Sequence, residues 1–124
     1  MEKGKEKEFG FEKLVVWQKS VDLAEEVYKA VKDFPRKESH ILVPQLLRCA
    51  NSIPANIAEG SYRRSKKEFV QFLYVAKGSL AETVTYLELA FRQRYFSQLV
   101  YERLIVKCKE VLTLLVGLIN SLRK

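Results

Sequence analysis

The chain has 124 residues, enough for one domain with a real core and too few for two ordinary ones. Nearly half are apolar, which argues against a disordered chain, while the formal charge of +7 favours a polyanionic partner. The longest uncharged run, residues 111–122, is well short of the ~20 residues that cross a bilayer. Residues 1–8 carry no apolar stretch of the signal-peptide kind, so a cytoplasmic protein with no membrane partner is expected.

Residues 1–10 read as a flexible tail of mixed Lys and Glu, and residues 11–124 as one helical domain. A first helix is expected from about Glu12 to Asp33, because Leu14, Trp17, Val21, Ala24, Tyr28 and Val31 recur every three or four residues. Phe34-Pro35 breaks it. Pro44 suits the first turn of a second helix, where its missing N–H costs nothing, and Ser39 is placed to cap a short turn ahead of it. Leu46, Ala50, Ile53 and Ile57 carry that helix to Gly60, which reads as its C-terminal stop.

The stretch Ser52-Ile53-Pro54-Ala55-Asn56-Ile57-Ala58-Glu59-Gly60 is the oddest in the chain. A proline inside a helix removes one hydrogen bond and costs about 3 kcal/mol, orphaning here the Ala50 carbonyl. Asn51, Ser52 and Asn56 are the nearby groups that can answer it, and Ala50, Ala55 and Ala58 admit a close neighbouring helix. The segment reads as a packing joint, not a catalytic loop.

Ser65-Lys66-Lys67-Glu68 has the form of a capping box and should open a long third helix. Its stripe is Phe69, Leu73, Ala76, Leu80, Leu87 and Phe91; Gly78 inside it is expected to mark a close helix contact. Ser97 can cap a fourth helix, whose seam of Leu104, Cys108, Val111, Leu115, Leu118 and Leu122 steps by fours and threes. Four helices with short connections give an all-α, antiparallel up-and-down four-helix bundle. Ile105, Leu112 and Ile119 form a second stripe on the last helix, widened by Leu114 and Val116. That surplus points to a homo-oligomer; the alternative is a helix packed against two neighbours of its own bundle.

The basic residues are unevenly placed. Between positions 29 and 67, nine Lys and Arg residues face three acids, a surplus of six. Tyr62, Arg63, Arg64, Lys66 and Lys67 gather four cations and an aromatic ring at a helix junction, a pattern suited to RNA phosphates and a stacked base. Arg48 is a further candidate contact. A solvated loop with a good helix cap is the plainer alternative. Lys32, Arg36 and Lys37 are expected at the other end of the bundle.

Catalytic and metal chemistry find little support. Glu59 reads as a structural carboxylate, with Arg48 or Lys77 as partners. The paired Glu-x-x-His motifs of di-iron bundles are absent, and two cysteines with one histidine, His40, match no zinc spacing. Cys49 and Cys108 lie in apolar runs and read as core residues. No enzyme activity, cofactor or small-molecule substrate is expected.

Phe34-Pro35, Gln45, the whole 52–60 segment, Glu68-Phe69 and Ala76-Lys77-Gly78-Ser79 followed by Glu82 resemble the four-helix-bundle proteins encoded within 23S ribosomal RNA intervening sequences. Trp17 and the Leu14-Val15-Val16 run fit that family's first helix, and the resemblance extends from about Phe11 to the C-terminus. It implies a ring-like homo-oligomer, a pentamer being the expected form, with no established enzymatic activity. RNA binding is proposed for that family, and Ser52, Pro54, Asn56, Glu59, Gly60 and Gly78 become its structural positions here. A more distant likeness, in topology and assembly only, is to the basic pentameric accessory proteins of diversity-generating retroelements. Those bind a reverse transcriptase and nucleic acid, so a protein-interaction scaffold or accessory subunit is the second expectation. The chain departs from the family at Leu47-Arg48, where paired arginines are common, and at Cys49 and Pro44. These departures weaken nucleic-acid contact by the second helix, not the fold.

Overall fold

The computed structural model describes residues 9–124, so the expected tail lies outside the described residues but for Phe9 and Gly10. Four helices carry the fold: α1 (Val15–Val31), α2 (Leu42–Ser61), α3 (Lys66–Arg92) and α4 (Gln98–Leu122). Short 3-10 turns, Gly10–Lys13 and Arg36–Glu38, precede α1 and α2. Among the described residues there is no strand. Each helix packs against the next, and α4 closes back on α1, giving an antiparallel up-and-down four-helix bundle.

The helix starts follow local chemistry. Ser65 accepts the Glu68 N–H at 3.1 Å, and Ser97 accepts the Val100 N–H at 3.2 Å, each satisfying an orphan donor of a first turn. Between α3 and α4 the chain reverses through Arg94, whose φ of 64° lies in the left-handed region. The Tyr95 N–H reaches back to the Ala90 carbonyl and the Arg94 N–H to that of Phe91, a Schellman closure in which arginine stands where glycine is usual.

Leu23, Leu46, Ile53, Ile57, Leu73, Leu87 and Leu115 are fully buried, each contributing about 2 kcal/mol or more to folding. On α3 and α4 the burial follows the expected stripes closely, with Leu73, Ala76, Leu80, Leu87, Leu104, Cys108, Val111 and Leu115 inside. Ile119 is buried, while Leu118 and Leu122 pack at the margin of the core. On α1 the expected stripe is rotated. Val16, Ser20, Leu23, Ala24 and Val27 are the buried face, and Val21 and Tyr28 lie exposed. The small Ser20 is admitted because its hydroxyl donates to the Trp17 carbonyl at 2.9 Å.

Two expected glycine roles are exchanged. Gly60 does not end α2; it is a buried helical residue whose missing side chain lets α3 approach. Gly78 is exposed, with nothing within 4 Å of where a Cβ would stand, so it marks no close contact within the chain. Helix α2 runs through Pro54 without a break. Asn56 donates its amide at 2.8 Å to the carbonyl and hydroxyl of Ser52, not to the Ala50 carbonyl. Ser52 in turn shares a 2.8 Å hydrogen bond with Ser79, and Thr83 donates to the Ser79 carbonyl and the Cys49 sulfur. A polar seam thus sets the register of α2 on α3 within an apolar core.

Candidate functional site

The end of the bundle where α2 turns into α3 also holds the first 3-10 turn and the C-terminus of α4, because the helices alternate in direction. Tyr62, Arg63, Arg64, Lys66 and Lys67 are all exposed there. The cluster is less uniform than the sequence alone suggests. Arg63 donates one Nη2 hydrogen bond to Glu59 at 2.8 Å and lies over the Phe72 ring at 4.6 Å, so its charge is partly neutralised and already engaged with a ring face. Glu59 therefore pairs with Arg63 rather than with the expected Arg48 or Lys77.

Arg64, Lys66 and Lys67 have no acidic partner among the described residues. Arg123 joins them from the end of α4, its guanidinium donating to the Tyr74 hydroxyl at 2.9 Å. Lys66, Lys67, Gln71, Tyr74, Leu122 and Arg123 line an open groove of about 560 Å³. A second groove, of about 390 Å³, lies between Arg63, Lys67, Gln71 and Phe72. Lys67 and Gln71 belong to both, so the two grooves are contiguous around the first turns of α3, with the exposed Glu68 carboxylate as the acidic member of the second. The start of α3 adds its own positive dipole there.

Aromatic rings flank the cations. Tyr62 meets the Phe11 ring edge-on at 5.7 Å, Phe11 tilts against Trp17 at 5.2 Å, and Phe9 stacks on Phe11 at 5.6 Å. Phe9 and Tyr62 keep half or more of their surface in solvent. The Phe9 N–H is held by the Glu12 carboxylate at 2.9 Å, which ties this turn to the start of the domain. Sequence reasoning missed Phe9, Phe11, Tyr74 and Arg123. The spacing of two phenylalanines around Gly10 was the available signal for the first pair, and the up-and-down topology itself brings Arg123 to this end.

Arg48 does not belong to the cluster. It precedes Tyr62 by fourteen residues of α2, about 21 Å at helical rise, and lines a small groove with Gln45, Cys49, Ser52, Ser79 and Glu82. Lys32, Arg36 and Lys37 lie at the opposite end, where Phe34 packs on Tyr95 and Phe96, and they add nothing to this surface. His40 is exposed. Among the described residues no group of three His, Cys, Asp or Glu side chains is arranged to hold a metal ion, and no helix is long and apolar enough to cross a membrane.

Fold and site together define a small all-α bundle whose α2–α3 end gathers exposed cations beside exposed aromatic rings. A family model for the 23S rRNA-intervening sequence protein matches residues 12–117, and the chain belongs to that family. It is also similar to a solved protein of unknown function from the S23 ribosomal protein family of Bacteroides thetaiotaomicron VPI-5482. That match has a TM-score of 0.76 at 30% identity and covers 85% of this chain and 98% of the other. No curated protein matches the chain.

Proposed function

We propose that this protein is a non-enzymatic, homo-oligomeric bundle that binds RNA in the cytoplasm through its basic end. The observation that carries the reading is the groove lined by Lys66, Lys67 and Arg123, with Arg64 exposed in the turn that precedes α3 and the exposed rings of Phe9 and Tyr62 at the same end of the bundle. Cations without acidic partners gain by replacing the counterions of a phosphate backbone, and exposed rings take unstacked bases. Single-stranded RNA therefore suits this end better than a duplex, whose bases are already stacked. Family membership, under a name drawn from ribosomal RNA, supports the same reading. Assembly as a ring, with a pentamer the expected form, would repeat the basic end and multiply weak contacts.

The test is a variant carrying Arg64→Glu, Lys66→Glu, Lys67→Glu and Arg123→Glu, compared with the parent for binding of a labelled single-stranded RNA. Acidic residues at the first turn of α3 agree with the helix dipole, so helicity should be retained. Affinity should fall at least a hundredfold; unchanged affinity in a folded variant would reject the site. A protein partner retained from lysate after nuclease treatment, with no RNA affinity in the parent, would favour the scaffold reading instead.

A further inference from the structure

The larger of the two grooves at the α2–α3 end is a mixed site. Lys66, Lys67 and Arg123 supply its cations, Gln71 an amide, and Val70 and Leu122 its apolar surface; no acidic residue lines it. Val70 is buried and Leu122 packs at the margin of the core, so the floor is apolar while the three cations are exposed around it. Its volume of about 560 Å³ lies within the roughly 300–1,000 Å³ of clefts that take a compact organic ligand, and exceeds what a bare phosphate fills.

The side chains are set to converge. Lys67, Gln71 and Tyr74 step by four and three residues, which puts them on one stripe of α3 over about 10 Å. Arg123 comes from the end of α4, and the hydrogen bond it gives the Tyr74 hydroxyl at 2.9 Å holds its guanidinium across the groove. That bond uses one N–H of the guanidinium; among the described residues the rest have no partner, and neither has the Gln71 amide.

Charge decides what suits this space. An internal phosphate of a strand is a diester with a single negative charge, whereas a terminal phosphate monoester carries about −1.5 to −2 at neutral pH. Three cations around a space for one nucleotide are better matched by the monoester. A flat ring suits the apolar floor, and a free amide beside that floor suits the polar edge of a base.

We infer that this groove holds the terminal nucleotide of an RNA strand that ends in a phosphate monoester, with the phosphate between Lys66, Lys67 and Arg123 and the base over Val70 and Leu122. The inference rests on the RNA reading above and names the part of the strand that this end takes. Arg123 forks onto two phosphate oxygens, the lysines add charge at the third, and the Gln71 amide meets the base edge.

The experiment measures, by fluorescence anisotropy, the affinity of the full chain for three internally labelled single-stranded RNAs of one sequence. One ends in a 5′-phosphate, one in a 3′-phosphate, and one in hydroxyls at both ends. A phosphorylated strand should bind at least about tenfold tighter than the hydroxyl-ended one, and the two phosphorylated arms identify which end is held. One further phosphate adds little to diffuse attraction for a strand that already carries many, so a preference of that size requires a seat. In Arg123→Gln, an exposed position whose change should leave circular dichroism as in the parent, the preference should disappear while the hydroxyl-ended strand still binds. Equal affinity for all three strands overturns the inference and leaves RNA binding standing. A preference that survives Arg123→Gln overturns the assignment to this groove. No binding of any strand overturns both the inference and the RNA reading.

Discussion

A Cβ placed on Gly60 would lie 2.7 Å from the Cβ of Phe72 and 3.0 Å from the Phe69 ring. The Phe72 Cβ cannot move without its backbone, so α2 and α3 must separate to admit even a methyl group. Gly60→Ala should therefore destabilise the protein by about 1–3 kcal/mol, the ordinary cost of overpacking. Gly78→Ala should do the reverse, adding up to about 1 kcal/mol, because that site is an open helical position. Urea midpoints at one fixed protein concentration decide both signs.

The polar seam between α2 and α3 makes a second prediction. Ser79 is buried, and removing its hydroxyl deprives Ser52 of a partner that Asn56 only partly replaces. Ser79→Ala should cost about 1–2 kcal/mol. A neutral effect on the denaturation midpoint would mean that the seam contributes nothing net.

Arg94 holds a left-handed conformation that disfavours any side chain with a Cβ. Arg94→Gly should stabilise by about 0.5–1 kcal/mol, the relief at the turn being partly offset by a freer unfolded chain. Thermal melting at constant concentration checks the direction.

The two cysteines should be chemically silent in the folded protein. Burial pushes the Cys108 thiol up to about 12 and also raises that of Cys49. At pH 8 a disulfide reagent should leave both unmodified until denaturant is added. For a thiol raised on folding, the stability it contributes is complete below the free-thiol range near about 8.5 and is lost as pH climbs toward 12. Rapid labelling of native protein at pH 8 would contradict the burial.

Most of the fold was legible in the chain because caps and stripes agreed. Ser65 and Ser97 start their helices where expected, and Leu73, Leu87, Leu104 and Leu115 are buried as their spacing requires. The first helix was harder to read. It has two apolar faces, and spacing alone does not say which one the other helices cover; Val21 and Tyr28 belong to the outer one. Gly60 and Gly78 were exchanged for a related reason, since a glycine's neighbours lie on another helix. At the site, the adjacent Arg64, Lys66 and Lys67 needed only sequence. Arg123 and Phe9 needed the topology that brings the end of α4 and the turn before α1 to the same end, and the Arg63–Glu59 pair needed side-chain geometry.

The central claim is tested most directly by measuring the affinity of the parent protein for a single-stranded RNA across a series of salt concentrations. Four cations on phosphates predict a steep fall, with a log–log slope of about −3 for each basic end engaged. An affinity that does not change with salt, or no binding even at low ionic strength, would contradict the account.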